Sequence, residues 1–195
     1  ALLASIGTNL AYTFWLNKDK DFSTAEHLCQ DARDIYIAIQ RYPEIAAPET
    51  TLAIMAHDRG FYDDAVNLLR SAISRILELA RFRQLDYGLD LCRAYYHLGW
   101  TEWYIAEEKN SNESDIADIQ WDINGLERSL RSFETSKTYA ERYNLLQELP
   151  GILHQTASVK WHLSRSTNNK KLQKEARELN VLAIKKSIEV KDLRY

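Results

Sequence analysis

Residues 60–73 read GFYDDAVNLLRSAI, and this stretch decides the fold. Gly60 follows a helical pattern that ends at Arg59, and a glycine is the usual residue just past a helix C-terminus. Asp63 and Asp64 then fall in the first turn of a new helix, where negative charge complements the positive end of the macrodipole. Its apolar positions continue as Ala65, Leu68, Leu69, Ala72, Ile73, Ile76, Leu77 and Ala80, the i, i+3, i+4, i+7 pattern of one buried face. Upstream, Leu52, Ala53, Met55 and Ala56 form the face of the preceding helix. A link of one or two residues folds two such helices into an antiparallel hairpin.

The same reading extends in both directions. Phe22, Ala25, Leu28, Cys29, Ala32, Ile35, Tyr36 and Ile39 mark a helix between Asp21 and Arg41, with Ser23 and Glu26 as a capping box and with Pro43 and Pro48 beyond its end. Leu85 to Lys109 and a long stretch from Ser114 to Tyr143 form a third pair. Asn110-Ser111-Asn112 supplies turn chemistry between them, and Gly125 is a candidate break. A fourth pair starts near Pro150 and turns at Ser166-Thr167-Asn168-Asn169. No strand-like alternation occurs. The chain has 6 Gly and 3 Pro in 195 residues, so its elements are long. The expectation is an all-α fold of eight helices in four hairpins, at about 1–42, 48–83, 85–145 and 148–192, within one repeat domain spanning 1–195.

An internal repeat supports this. Ala25, Cys29 and Ala32 stand at spacing 0, 4, 7. Ala65, Leu69 and Ala72 repeat it, as do Ser129, Phe133 and Ser136, then Ala176, Asn180 and Ala183. A small, larger, small order lets two helices approach closely around a bulkier side chain. The pattern resembles the second helix of the tetratricopeptide repeat, and Leu98-Gly99 in AYYHLGWTEWYIA (residues 94–106) matches that family's first helix. The spacing departs from the family, because the first small residues lie 40, 64 and 47 apart instead of 34. The resemblance implies a right-handed superhelix of hairpins. More distantly, the array is similar to sensor or scaffold regions of multidomain signalling proteins such as STAND-type NTPases.

Composition and motifs exclude several chemistries. Net charge is -3, so a free-standing nucleic-acid binder is disfavoured. No run of about 18 apolar residues exists, so no membrane span is expected. No G-x-x-x-x-G-K-[ST] or G-x-G-x-x-G loop is present. Cys29 and Cys92 are too few for a disulfide framework and sit at core spacing. Of the five His, His154 and His162 share roughly one helix face but stand two turns apart, too far for one metal. The run at Lys170, Lys171 and Lys174 reads as a solvated helix face. The chain starts without Met at ALLASIGTNLAYTFW and ends at KKSIEVKDLRY, so a fragment of a larger cytoplasmic protein is expected.

Five Trp and eleven Tyr remain to be placed. In arrays of the resembled kind the first helices line a concave groove. Taking Gly99 as the small contact puts Arg93, Tyr96, Trp100, Trp103 and Tyr104 on that side. Matching Ala11, Ala53 and Ser158 to the same place adds Tyr12 and Trp15, Ile54 and His57, then Gln155 and His162. The expected partner-binding groove is therefore Tyr12, Trp15, His57, Arg93, Tyr96, Trp100, Trp103 and His162. Such a surface suits a peptide or an amphipathic helix. The competing reading of the same aromatic residues is core filling between lengthened helices. The expected function is a non-enzymatic scaffold or sensor module of a larger signalling or regulatory protein, whose partner is a protein, a peptide or other domains of the parent chain, with no cofactor, no metal, no nucleic acid and no membrane partner. Its alternative is a small-molecule sensor stacking a sugar or nucleotide on the aromatic groove. A third class, an enzyme built on a helical toroid or bundle, lacks any catalytic constellation.

Overall fold

A computed structural model describes residues 2–16, 21–83, 87–111 and 122–192 of the chain. Among these residues the structure is entirely helical. The helices are α1 (Leu2–Leu16), α2 (Phe22–Ala38), α3 (Ala46–Asp58), α4 (Tyr62–Arg83), α5 (Gly88–Ser111), α6 (Ile123–Arg142), α7 (Leu149–Ser166) and α8 (Lys170–Asp192), with a 3-10 turn at Tyr42–Ile45. The chain divides into two compact units, Ala1–Asp90 and Leu91–Tyr195.

Local chemistry sets the helix ends. Asp21 is the N-cap of α2, and its carboxylate accepts the Thr24 N–H at 3.0 Å. This corrects the expected Ser23–Glu26 box: Asp21 has the non-helical backbone that an N-cap needs, and Ser23 already lies inside the helix. Four helices end in the same way, each with a left-handed residue just past the C-cap. These residues are Gln40 (φ 56), Gly60 (φ 82), Asn144 (φ 53) and Asn168 (φ 50). The next N–H reaches back in each case, as from Phe61 to the Ala56 carbonyl at 2.8 Å and from Leu145 to that of Ala140 at 2.8 Å. Left-handed backbone closes the orphan carbonyls of a last turn. Pro43 falls within the 3-10 turn. Pro48 lies in the first turn of α3, where a missing N–H is harmless, so that helix starts at Ala46, ahead of the expected start near residue 48.

In the first unit α1 packs on α2, α2 on α3 and α3 on α4, and α1 also meets α3. The α1–α2 contact is built on paired alanines. Ala4 clusters with Ala32, and Ala11 with Ala25 and Cys29. Each helix thus contributes small residues seven apart, which suits two helices crossing at short range.

The second unit repeats that arrangement with polar reinforcement. On α6, Ser129, Phe133 and Ser136 are all fully buried. Ser129 Oγ donates to the Gly99 carbonyl at 2.8 Å, and Ser136 Oγ to the Cys92 carbonyl at 2.7 Å. Phe133 sits between these bonds, against Gly99. Burying the ring is worth about 3 kcal/mol, whereas each serine bond contributes about 1 kcal/mol. Packing therefore supplies most of the stabilisation, and the two bonds fix the register. The α6 helix is shorter than the sequence suggests. It starts at Ile123 with Asp122 as N-cap, whose carboxylate accepts the Gly125 N–H at 2.9 Å. The expected start at Ser114 lies outside the described residues. Gly125 does not break the helix; it lets the first turn of α6 approach Ala106 of α5. Helix α7 packs on α6 and on α8, and its Val159 and Leu163 join Ala106, Leu126 and Phe133 in one core cluster.

Candidate functional site

Within the second unit, α5 presents Trp100, Trp103 and Tyr104 on one face because residues three and four apart share a side of a helix. Their rings touch. The centroids of Trp100 and Trp103 are 5.2 Å apart, and those of Trp100 and Tyr104 are 5.5 Å apart and nearly parallel, at 23°. His162 of α7 closes the group, 5.9 Å from Trp103. Burial holds the His162 imidazole below its ordinary pKa, with Glu107 opposing and Arg165 adding to the shift, so it is neutral at pH 7. Trp100, Trp103, Tyr104 and His162 are all half-buried. Trp100 and Trp103 rest on the core cluster below, so each ring has one side in the core and an edge toward solvent. The indole N–H of Trp103 is enclosed and meets no acceptor among the described residues.

Tyr96 lies one turn earlier. It meets Phe133 edge-on at 5.7 Å, and its hydroxyl passes over Gly151 in the first turn of α7. Burial raises the Tyr96 phenol pKa, and a hydrogen bond with Trp100 partly offsets this. Arg93 is exposed and gives Nε and Nη2 to one oxygen of Glu148, at 3.0 and 2.8 Å.

The expected groove residues thus divide. Arg93, Tyr96, Trp100, Trp103 and His162 fall in the second unit, and three of them touch through the aromatic group. His57 belongs to the first unit. It lies half-buried on α3 with its ring edge-on to Tyr62 at 5.4 Å, and burial lowers its pKa. Tyr12 and Trp15 fall on α1, and their side chains lie outside the described residues. One register assumption is corrected. The small contact on α7 is Ala157, fully buried, whereas Ser158 is half-exposed. Ala157 and Ser164 are the buried small residues seven apart on α7, as Cys92 and Gly99 are on α5.

The first unit holds a feature that sequence reasoning missed. A cavity of about 660 Å³ runs between α2, α3 and α4. Leu52, Met55 and Leu68 contribute its apolar lining. At one end Glu49, only 2% exposed, accepts Arg75 Nε at 3.1 Å and Ser71 Oγ at 3.0 Å. Arg33 lines the same cavity, and its Nε is enclosed without an acceptor among the described residues. Toward the other end Arg59 Nη1 donates to Glu26 at 3.0 Å, and Asp64 stands nearby on the wall.

Two further apolar faces are open. Leu3, Ile6 and Leu10 on α1, and Val181, Ile184 and Ile188 on α8, are exposed large hydrophobics at spacing i, i+3, i+7. Among the described residues, no helix is long and apolar enough to cross a membrane.

No protein-family model matches the chain. No curated protein sequence matches it either. Among solved structures it is similar to one described as a "DHF58 filament", at 18% identity and a TM-score of 0.42, over 99% of this chain and 94% of that one.

Proposed function

We propose that the chain is a non-enzymatic binding module, a tetratricopeptide-like array of four hairpins that takes a protein or peptide partner as a scaffold or sensor of a larger regulatory protein. The observation that carries this reading is the half-buried group of Trp100, Trp103, Tyr104 and His162, with the Trp103 indole N–H enclosed in it and meeting no acceptor among the described residues. Aromatic rings offer large contact area at low entropy cost, and an unmet donor beside them suits a main-chain carbonyl. Buried small residues seven apart on α1, α3, α5 and α7 support the array. Contiguous exposed apolar stripes on α1 and α8 support an interaction role, because such stripes mark partner surfaces. Insertion of a flat ligand is less favoured. Opening Trp100 and Tyr104 for a third ring needs about 7 Å between planes, and their centroids are already in contact at 5.5 Å.

The test is a peptide array screened by tryptophan fluorescence, followed by titration of the best peptide. Trp103→Phe keeps an aromatic ring but removes the indole donor with part of the ring surface, so it should weaken binding about tenfold with helicity intact. Trp100→Ala should abolish binding. Unchanged affinity in both variants rules out this surface as the site.

A further inference from the structure

We infer that the cavity among α2, α3 and α4 is a separate binding site for a carboxylate carried on a short apolar body. Its volume of about 660 Å³ falls in the range of small-ligand sites, about 300–1,000 Å³. The charges along it are not balanced locally. The buried Glu49 carboxylate is matched by Arg75, with Ser71 as a further donor. Among the described residues, that leaves Arg33 as the surplus cation at this end. Arginine cannot shed its proton, and its planar fork is shaped for a carboxylate. The enclosed Arg33 Nε is a donor already removed from water, with no acceptor among the described residues. One surplus charge beside a buried carboxylate suits a monoanion better than a phosphate dianion.

The other end repels anions, because Arg59 is paired with Glu26 and Asp64 stands beside them. The ligand is therefore oriented, carboxylate toward Arg33 and apolar body along Leu52, Met55 and Leu68. Glu26 and Arg33 are seven residues apart on α2, about 10 Å at 1.5 Å per residue. That length takes about three residues of extended peptide or a medium-chain aliphatic acid. Gln30 and Asn67 stand on the walls with amide groups suited to the first of these. The site lies wholly in the first unit and does not depend on the aromatic group of α5.

The experiment titrates the full chain with octanoate and with acetyl-Leu-Leu-Glu-amide, read by amide chemical shifts. Saturable shifts confined to α2, α3 and α4 are expected from at least one probe. Octanoate alone identifies a free aliphatic acid, and the peptide alone identifies an acidic peptide segment. The neutral counterparts, octanol and acetyl-Leu-Leu-Gln-amide, should bind at least about tenfold more weakly, as should Arg33→Gln with either acid. Arg33→Lys keeps the charge, loses the fork and should fall between; it also serves if Arg33→Gln fails to fold. Trp100→Ala should leave this binding unchanged. The inference is overturned if neither acid saturates the shifts at millimolar concentration, if the neutral probes bind equally well, or if folded Arg33 variants keep full affinity.

Discussion

A Cβ built on Gly99 would lie 3.0 Å from three atoms of the Phe133 ring. The ring has no room to retreat, since Phe133 is fully buried and the flanking Ser129 and Ser136 tie α6 to α5. Gly99→Ala gains up to about 1 kcal/mol of helix propensity and loses about 1–3 kcal/mol by overpacking. The expected net loss is about 1 kcal/mol, and Gly99→Val should lose about 3 kcal/mol. Denaturant titration measures both. Phe133→Leu in the Gly99→Ala background should cost less than in the native chain, because the two residues share one space.

The serine bonds give a second expectation. Each accepting carbonyl lies within α5, so removing a hydroxyl deletes a bond without unpairing that carbonyl; at Ser136 it also takes away the 3.6 Å contact of the Cys92 thiol. Ser129→Ala and Ser136→Ala should each cost about 1 kcal/mol and add nearly independently, being two turns apart. Strong non-additivity in the double variant would show that they act as one unit.

Gly125 is held more tightly still. An added Cβ would stand 2.8 Å from the Ala106 Cβ and 2.8 Å from Asp122 Oδ2. Gly125→Ala should therefore destabilise by about 1–3 kcal/mol despite better helix propensity. Asp122→Ala, which loses the cap and the 3.8 Å approach of Arg128, should cost about 1 kcal/mol. Thermal melts followed by circular dichroism would rank the two. A stabilised Gly125→Ala variant would mean that α5 and α6 can separate there.

Much of this packing is legible in the sequence, and the failures have physical reasons. Helices and their stops follow from apolar period, from Gly60 and from the turn that holds Asn168; Gly and Asn take left-handed backbone at little cost, as Asn144 also does. Gln40 adopts the same conformation without such a signal, so the end of α2 is marked in the sequence by Pro43 and Pro48 alone. Second-helix triads were readable because their order is strict. Their partners, Ala4 with Ala11 on α1 and Cys92 with Gly99 on α5, use small residues that change from helix to helix and have no fixed neighbour. Ala157 and Ser158 are adjacent and both small, and a shift of one position turns a helix face by about 100°. The cavity could not be read at all. Glu26, Gln30 and Arg33 have the period of a solvated face, and only the placement of α3 and α4 encloses them.

Both thiols should be inert in the native chain. Burial pushes the Cys29 pKa up to about 12, with Glu26 adding to the shift. Burial also raises that of Cys92, although its contact with Ser136 opposes the rise. The thiolate is the reacting form. Labelling with a thiol-specific disulfide reagent near pH 8 should be slow when folded and rapid in urea, with two equivalents released on unfolding. Rapid native labelling of either residue would contradict the packing around it.

The last expectation concerns pH. His57 and His162 both have folded-state pKa values below the ordinary 6.5, chiefly because burial disfavours the imidazolium. Near 6.5 the unfolded chain therefore binds more protons than the native one, and stability rises with pH in that range. The contribution is fully present above the unfolded value of about 6.5, is lost as pH falls through the depressed native values, and becomes flat below them. Ordinary carboxylates stay ionised down to about pH 5, so a window from about pH 7.5 to about pH 5.5 isolates the histidines. The urea midpoint should fall across that window. His57→Gln combined with His162→Gln should make the dependence shallower, because two of the groups that must acquire protons are gone. An equally steep dependence in the double variant would place the pH sensitivity on other groups and refute the assignment.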